Sequence, residues 1–386
     1  MTTTDLNIET PEGGTDLARP TIFVSLELAS SKWLVTVAAP GNDKFSQHRI
    51  KGGDAQGLLD LLNKRRARFD LGNSERAAVA VIQEAGFDGF WIHRLLEREG
   101  FESYVVDPAS IGVSRHTRRA KTDMIDGVML VRTLMAYKRG EPRVCAMAVP
   151  PSPAEEDHRR ITRERKTLVG DRIQIVNRIQ GLLATQGIRD YPALHRARRQ
   201  ILDRLVTGDG RPLPENLRAE VTRLLDRLEL ILAQIVAVER ARDAIVTAQT
   251  STSRGPALLM KLKSIGPEFA MTIWSEGLFR TFSNRRQLGA FAGLSPSPYQ
   301  SGNMSREQGI SKSGNKRLRT AMIELSWLWL RNQAQSALSQ WFKARAADGK
   351  GRVRRISIVA MARKLLVALW RFVQFGEVPA GAILKA

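Results

Sequence analysis

Residues 21–51, TIFVSLELASSKWLVTVAAPGNDKFSQHRIK, contain three short runs, the first two apolar and the third more polar, separated by turn-forming residues. The runs are TIFVSLEL (21–28), KWLVTVAAP (32–40) and KFSQHRIK (44–51), and short polar gaps join them. Runs of this length, rich in β-branched and aromatic residues and bounded by Gly, Asn and Ser, are typical of strands. The stretch therefore predicts three consecutive strands that pair as a meander.

The segments that follow alternate between helical and strand patterns. Leucines recur at helical spacing in residues 53–69, and AAVAVIQE (77–84) is an apolar run typical of a buried parallel strand. Residues 87–100 predict a helix that ends at a glycine, and ESYVVDP (102–108) predicts a further strand. With a last helix within 109–140, the order β-β-β-α-β-α-β-α predicts an RNase H-like (RuvC-like) α/β domain.

Four acidic residues occupy the positions where such a domain would hold metal ions. Glu27 and Glu84 close two of the apolar runs, and Asp123 and Asp126 lie three residues apart at a helix start. Ligand sites of α/β sheets lie at strand ends, and carboxylates suit Mg²⁺ or Mn²⁺. The simpler alternative is that acids favour helix N-termini because of the macrodipole. We favour the metal site because all four acids fit one fold.

The rest of the chain is strongly basic, with 60 Lys+Arg against 39 Asp+Glu and a net charge of +21. Such an excess indicates a polyanionic partner, either nucleic acid or a membrane surface. We find no apolar stretch long enough to cross a bilayer and no signal peptide, so we expect a cytoplasmic, nucleoid-associated protein. The single Cys145 and five histidines make a disulfide framework or a zinc site improbable. A basic run just before Asp123 predicts phosphate contacts: Arg115, Arg118, Arg119 and Lys121.

A proline-rich break at 150–157 separates this domain from long amphipathic helices. Residues 164–187 and 215–246 carry apolar residues at three-to-four spacing and predict an antiparallel helical hairpin or coiled coil. Five basic residues crowd its start: Arg159, Arg160, Arg163, Arg165 and Lys166. Two interpretations stay open for them, a solvated helix face or a surface for dimerisation and nucleic-acid contact.

The last third of the chain combines a helical turn motif with a serine-rich segment. Residues 258–277 resemble a helix-hairpin-helix element, which can grip phosphates through backbone N–H groups, although a plain helical hairpin gives much the same pattern. The stretch from Gly293 to Arg319 is rich in Ser and Gly and predicts a flexible loop. Residues 346–386 predict a basic amphipathic helix that packs on the same domain.

Several motifs of the chain occur together in one known family. They are SLELASSK, IQEAGFDGFW, VVDPASIGVSRHTRRAKTDMID, GLLATQGI, SIGPEFA, LGAFAGLSPSPYQSG and ISKSGNKRLR. In this order, over roughly residues 20–335, the chain resembles the DEDD transposases of the IS110 (IS-one-ten) family. These proteins are related to the Piv/MooV site-specific invertases and are described as bridge-RNA-guided recombinases. The KTD-x-x-D and AGL-x-P…SG…K-x-GN-x-x-LR patterns are the specific ones, whereas the helical middle is not.

The resemblance implies both an architecture and a set of site residues. It implies an RNase H-like domain, a coiled coil and a mostly α-helical transposase domain that bears a nucleophilic serine. The domain bounds we expect are 1–19 for a flexible tail, 20–145 for the DEDD domain, 150–250 for the helical hairpin, 255–345 for the serine-bearing domain and 346–386 for the C-terminal helix. By motif position the metal ligands are Glu27, Glu84, Asp123 and Asp126, and the nucleophile is Ser301.

The function implied is the cutting and rejoining of DNA through a serine-linked phosphodiester. Basic residues near Ser301 would stabilise the charge on phosphate: Lys312, Lys316, Arg317 and Arg319. The implied partners are donor and target DNA, a non-coding guide RNA, and further copies of the chain in a homodimer or homotetramer with a composite site. One departure from the family pattern is Glu27, where an aspartate is usual. Two alternatives stay open, a RuvC-like nuclease that uses water and a non-catalytic scaffold that binds RNA and DNA.

Overall fold

The computed structural model describes residues 19–385 except for a few short segments. The segments outside the description are residues 43, 71–75, 87–88, 112–122, 143, 249–254, 302–303, 348 and 350. At positions 109, 123, 124, 298, 299, 301 and 304–307 the main chain alone is described. The predicted tail at 1–19 therefore lies outside the described residues, apart from Arg19. The chain divides into two compact units, Met1–Pro151 and Ser152–Ala386.

The first unit is built on a five-stranded mixed sheet with the strand order β3-β2-β1-β4-β5. Its strands are β1 (Thr21–Leu28), β2 (Lys32–Ala38), β3 (Phe45–Lys51), β4 (Ala78–Glu84) and β5 (Glu102–Val106). The first three pair antiparallel, as the predicted meander requires, whereas β4 pairs parallel with both β1 and β5. The strand that carries Glu27 is therefore the central one.

Helices cover both faces of this sheet, which gives the unit three layers. Helices α1 (Ala55–Asp70) and α2 (Trp91–Arg98) pack on one face through buried leucines and isoleucines. Helix α3 (Asp123–Lys138) packs on the other face through Leu130, Val131 and Leu134, which meet Phe23, Ala80 and Ile82. A short 3₁₀ turn, Pro108–Ser110, follows β5. Side chains of a strand alternate between the two faces of the sheet. This packing therefore shows which β1 side chains face α1 and α2 and which face α3.

The second unit opens with two long helices that pack side by side, α4 (Pro153–Ala184) and α6 (Glu215–Ala248), with the short α5 (Arg198–Asp203) in their connection. Ser152 caps the N-terminus of α4. Its Oγ accepts from the Glu155 N–H, and the Glu155 carboxylate accepts from the Ser152 N–H. Arg178 of α4 contacts Glu220 of α6, whereas Arg165 contacts Glu239. Residue numbers that increase along α4 therefore meet residue numbers that decrease along α6, so the two helices are antiparallel.

The remainder of the second unit is mostly helical and shares one hydrophobic core. It comprises α7 (Pro256–Met260), α8 (Pro267–Ile273), a π-helical turn (Trp274–Leu278), α9 (Arg285–Phe291), β6 (Pro296–Ser301), β7 (Met304–Ile310), α10 (Lys316–Asn332), α11 (Ala337–Ala346) and α12 (Gly351–Phe375). Leu365 and Leu369 of α12 are fully buried against the same core as Met322 of α10. After α12 the chain returns to pair Leu384 with Leu262, and the buried Gln333 side chain donates to the carbonyls of Lys263 and Ile383.

The strands β6 and β7 form an antiparallel hairpin where the Ser- and Gly-rich sequence predicted a flexible loop. The pairing runs from Pro296 opposite Ile310 to Ser301 opposite Met304, with an irregularity between Pro296 and Pro298. Two prolines and few apolar residues hide the strand pattern, because proline removes a ladder hydrogen bond and is confined to edges and bulges. None of the described helices of either unit is both long and apolar enough to cross a membrane.

Candidate active site

The carboxyl ends of β1 and β4 bring two of the predicted acids to one edge of the sheet. The parallel pairing of these strands reaches Leu26 opposite Gln83, and Glu27 and Glu84 are the next residues on each strand. Leu26 packs with α1 and α2, and so Glu27 points to the opposite face, which α3 covers. Ile82 packs under α3, and Glu84, two residues on, shares that face. Glu84 is exposed and Glu27 is partly buried.

Helix α3 approaches this edge closely at Gly127. The carbonyl of Gly127 accepts a hydrogen bond of 2.8 Å from the buried Ser25 hydroxyl of β1. A Cβ atom built on Gly127 would collide with Thr36 Oγ1 and would lie 3.2 Å from Glu27 Oε1. The absence of a side chain at Gly127 thus lets the first turns of α3 rest directly on the strand that carries Glu27.

Asp123 and Asp126 occur in those same turns. Asp123 is the first residue of α3, and only its main chain is described; Asp126 is partly buried. Gly127 and Leu130, which follow in the next turns of α3, both face the sheet. The main chain of this first turn therefore brings the positions of Asp123 and Asp126 to the strand that carries Glu27.

These residues suit a divalent cation in their donor chemistry. All four would offer carboxylate oxygens, which Mg²⁺ and Mn²⁺ prefer, and the register sets two of them side by side. Among the side chains that the structure describes, no three carboxylate, histidine or cysteine groups are close enough together to hold a metal ion. Glu27, Glu84 and Asp126 are among those side chains and do not form such a group, and the side chain of Asp123 is outside the description, so the metal quartet stays a prediction. Asp107, directly after β5, adds a carboxylate near this edge that the sequence analysis did not single out.

The basic run that precedes α3 lies outside the described residues; this applies to Arg115, Arg118, Arg119 and Lys121. Its predicted role in phosphate contact stays a prediction. A cleft of about 660 Å³ is lined by Arg19, Arg66 and Arg76 together with the first residues of β4. It lies at the amino end of that strand, the end opposite to Glu84, and is separate from the acid edge.

Ser301 is the last residue of β6, where the hairpin turns. Its main chain pairs with Met304, which places it at the tip of the hairpin, away from the base that joins the helices. At that base Ser311 N–H donates to the Ser295 carbonyl, and Lys312 N–H donates to the Gly293 carbonyl. Gly293 has a φ of +64°, and a Cβ atom there would collide with the Ser313 carbonyl. The base is therefore tightly built although the sequence around it is rich in Ser and Gly.

Three of the four basic residues that follow the hairpin are exposed, namely Lys312, Lys316 and Arg317. The fourth, Arg319, is partly buried and donates to the carbonyls of Ala292 and Ser313. Arg319 therefore also supports the base of the hairpin, a contact that the sequence did not suggest. The exposed three are available for contact with phosphate.

A buried carboxylate links this base to helix α4. Glu276 is 1% exposed, and its two oxygens accept from Arg163 at 2.9 and 3.1 Å. Asn315 caps α10, and its Nδ2 donates to Oε2 of Glu276 at 2.9 Å and to the main-chain carbonyl of Glu276 at 3.0 Å. Burial opposes ionisation, but the hydrogen bonds and the nearby Arg163 and Arg159 outweigh it and hold the pKa of Glu276 below its ordinary value. Sequence reasoning missed this cluster, since a single Glu in a helical segment carries no signal of burial.

Of the basic residues at the start of α4, Arg160 and Lys166 are exposed, as on a solvated helix face, whereas the other three make contacts within the second unit. Arg163 pairs with Glu276, and Arg165 pairs with Glu239 and Glu268. The buried Arg159 donates to the Ser275 carbonyl at 2.8 Å and lies 4.5 Å from the centre of the Phe279 ring. These three arginines are engaged by groups of the second unit, although the side chain of Arg163 stays 44% exposed.

Comparison with known proteins finds the same family of transposases in both units. Residues 29–186 match the profile of the IS110-type DEDD transposases, and residues 256–364 match the profile described as "Transposase IS116/IS110/IS902 family". The first match includes Glu84, Asp123 and Asp126 but begins just after Glu27. The second includes the whole β6–β7 hairpin with Ser301.

Individual relatives agree with these profiles. The chain is 56% identical over 378 residues to y4rJ of Sinorhizobium fredii, which is named as a transposase, and the match covers 94% of both chains. It is 26% identical over 307 residues to the transposase for insertion sequence element IS1111A of Coxiella burnetii, covering 77% of this chain and 78% of the relative.

Proposed function

Because the chain belongs to the IS116/IS110/IS902 family of transposases, and is thus a DNA-cleaving enzyme of an insertion sequence, we propose a serine-linked mechanism for its reaction. In this proposal the first unit is an RNase H-like domain that contributes the acids Glu27, Glu84, Asp123 and Asp126. The second unit contributes Ser301 as the nucleophile. Since the acids and the serine belong to different units, the reaction needs a contribution from each unit.

The observation that carries the proposal is the convergence at the carboxyl edge of β1 and β4. Glu27 and Glu84 are in register on one face, and Gly127 brings the turns with Asp123 and Asp126 against Glu27. Carboxylates at the carboxyl ends of neighbouring strands are typical of ligand sites in α/β sheets, and so the arrangement favours a catalytic role over a structural one. A divalent cation held by these carboxylates would supply positive charge beside the scissile phosphate.

The proposed covalent step starts at the hydroxyl of Ser301. Its oxygen bonds to phosphorus, its proton passes to a basic oxygen nearby, and the bond from phosphorus to one DNA oxygen breaks. The released DNA oxygen takes up a proton and leaves as a free hydroxyl. The phosphoserine link conserves the phosphodiester, so attack by the hydroxyl of a second strand restores Ser301 and joins the new partners without ATP. The exposed Lys312, Lys316 and Arg317 would stabilise the charge on the phosphate oxygens.

A thiol is a poor alternative nucleophile in the described structure. Cys145 is partly buried, and desolvation by burial raises the pKa of its thiol above the ordinary value. It therefore stays protonated at neutral pH and reacts slowly.

We further propose a non-coding guide RNA as the partner that selects the DNA sequence, with the protein in a homodimer or homotetramer. The net charge of +21 supports contact with nucleic acid, since the 60 Lys+Arg far outnumber the 39 Asp+Glu that could neutralise them. Purification of the protein from its native host, followed by sequencing of co-purified RNA, tests this. One abundant, defined non-coding species is the expected result, and a random sample of cellular RNA would contradict it.

The nucleophile is tested by Ser301→Ala, with Ser305→Ala on the paired strand as a matched control. We expect Ser301→Ala to abolish a covalent protein–DNA adduct, detected by denaturing gel, while binding of DNA and RNA persists. Ser305→Ala should give the adduct at normal yield. Cleaved DNA with free ends and no adduct in the unmodified protein would instead indicate a nuclease that uses water.

The acids are tested by Asp126→Asn, which keeps the shape of the side chain but removes its charge. We expect loss of strand cleavage, and the same loss in the unmodified protein when EDTA removes divalent cations. Full cleavage in EDTA would refute the metal role. An unmodified protein that binds nucleic acid but never cleaves it, with Mg²⁺ or with Mn²⁺, would indicate a non-catalytic scaffold.

A further inference from the structure

The side chain of Asn315 makes hydrogen bonds in two directions. Its Oδ1 accepts from the N–H groups of Arg317 and Leu318, at 2.9 and 3.0 Å, and so caps the N-terminus of α10. Its Nδ2 donates to the carboxylate and to the carbonyl of Glu276. The orientation of the amide is fixed by these partners, because its oxygen must face the N–H groups and its nitrogen the acceptors.

The main chain at Asn315 belongs to the base of the hairpin that carries Ser301. The Asn315 N–H donates to the Phe291 carbonyl at 2.7 Å, and Gly314 beside it has a φ of +85°. A Cβ atom at Gly314 would collide with that same carbonyl. A shift of Asn315 would therefore move the segment whose residues Ser311 and Lys312 pair with Ser295 and Gly293, just before β6.

The Glu276 carboxylate, which accepts from Asn315, is also bound by residues of α4. Arg163 binds both oxygens of Glu276, and Arg159 binds the carbonyl of Ser275 next to it. The π-helical turn Trp274–Leu278 widens the helix at this point and contains both acceptors. A buried ion pair is weak evidence for stability, since its desolvation offsets the attraction, and a role in fixing geometry is an alternative reason for it.

We propose that Glu276 is a positioning residue for Ser301, acting through Asn315 to hold the base of the β6–β7 hairpin in register with α4. The inference rests on the proposed function, because Ser301 is the nucleophile in that proposal. It predicts that breaking the link slows the chemical step and leaves DNA binding unchanged. Misplacement of a reacting group by about 1 Å can cost on the order of 100-fold in rate.

The link can be broken without removing the helix cap by Asn315→Asp. Aspartate caps α10 as well as asparagine does, but it presents an oxygen to the oxygens of Glu276 and repels them. We expect the rate of Ser301-dependent adduct formation at saturating DNA to fall by about 10- to 100-fold, with an unchanged dissociation constant for DNA. The measurement uses the full-length protein with its co-purified nucleic acid and a DNA duplex that spans the insertion-sequence junction.

A matched control exists at the N-cap of α9. Asn284 accepts from the N–H groups of Arg286 and Gln287 in the same way, and within the described residues its Nδ2 donates to no carboxylate. Asn284→Asp makes the same chemical change in the same unit, and we expect the adduct rate to stay normal. Equal losses in the two variants would overturn the proposal in favour of a general effect of charge at helix caps.

A rescue separates positioning from general stability. The double variant Asn315→Asp with Glu276→Gln reverses the polarity of the side-chain link, because the introduced amide donates to the introduced carboxylate while the amide oxygen still accepts from Arg163 Nε. It does not restore the bonds from Arg163 Nη2 to Oε2 and from Asn315 to the Glu276 main-chain carbonyl. The total charge is that of the unmodified protein. We expect this double variant to recover part of the lost rate, and a double variant no faster than Asn315→Asp alone would contradict the role of Glu276.

Amide hydrogen exchange of residues 304–319 distinguishes a failure of this inference from a failure of the serine mechanism. We expect faster exchange in Asn315→Asp and restored protection in the double variant. If the unmodified protein forms no adduct that depends on Ser301, the serine mechanism fails and the exchange data alone decide whether the link holds the hairpin. Unchanged exchange and an unchanged adduct rate in Asn315→Asp would overturn the inference while the serine mechanism stands.

Discussion

At the scale of single residues, Gly127 decides how closely α3 can approach the sheet. We expect Gly127→Ala to lower the free energy of unfolding of the first unit by about 1–3 kcal/mol, because a new methyl group must displace Thr36 or the helix. This outweighs the gain of about 1 kcal/mol that alanine brings to a helix interior. Urea denaturation followed by circular dichroism measures the change.

Gly170 in α4 provides the control for that substitution. A Cβ atom there would meet nothing within 4 Å, so Gly170→Ala brings the helical gain without a collision. We expect a rise of roughly 0.5–1 kcal/mol in the free energy of unfolding. A similar stabilisation in Gly127→Ala would mean that α3 does not rest on β1 as closely as described.

Glu276 gives a pH dependence whose sign follows from the direction of its pKa. The folded-state pKa lies below the ordinary value of 4.5, so this carboxylate contributes stability above that pH and loses it as the pH falls through the folded value. We therefore expect the second unit to lose stability below about pH 4.5 more steeply in the unmodified protein than in Glu276→Gln. Thermal melting between pH 3 and pH 7 measures both curves, and parallel curves would show that Glu276 does not titrate in this way.

At the scale of elements, the sequence predicted the sheet of the first unit well and the hairpin of the second unit poorly. Strands β1, β2 and β4 are visible in the sequence because each buries a run of apolar residues. Strand β3 has no buried residue and is recognised mainly from the turn residues that precede it. The hairpin β6–β7 has few apolar residues and two prolines, and it is held by main-chain bonds at its base, which leave no trace in composition. The Glu276 cluster was missed for a related reason, because its partners Arg163 and Asn315 are far apart in the chain.

The hairpin of α4 and α6 offers an element-scale prediction based on two neighbouring leucines. Leu228 is fully buried between the helices, whereas Leu230 is 60% exposed. We expect Leu228→Ala to lower the free energy of unfolding by about 2–5 kcal/mol and Leu230→Ala to change it by less than about 0.5 kcal/mol. Denaturation at two protein concentrations checks this, and a large, concentration-dependent loss in Leu230→Ala would reveal a contact between copies of the chain.

At the scale of the whole molecule, the net charge of +21 governs how the protein meets nucleic acid. Each phosphate that the protein neutralises releases counterions, so the logarithm of the binding constant falls linearly with the logarithm of the salt concentration. With about 6–10 phosphate contacts the affinity should fall by roughly 10³- to 10⁵-fold between 50 and 200 mM salt. Fluorescence anisotropy with a labelled DNA duplex measures the slope, and a flat response would contradict binding through the backbone.

The same titration identifies which of the many cations contact phosphate, because charge that is already paired contributes little. Lys316 is exposed beside the Ser301 hairpin, and we expect Lys316→Ala to reduce the slope by about one. Arg199→Ala removes the same unit of charge, but its guanidinium is bound by Asp226 and Glu229, and so the slope should stay unchanged. Equal reductions in both variants would mean that total charge, rather than the position of individual cations, sets the affinity. A smaller slope in Lys316→Ala alone would agree with a phosphate-binding surface beside the Ser301 hairpin, as the proposed chemistry requires.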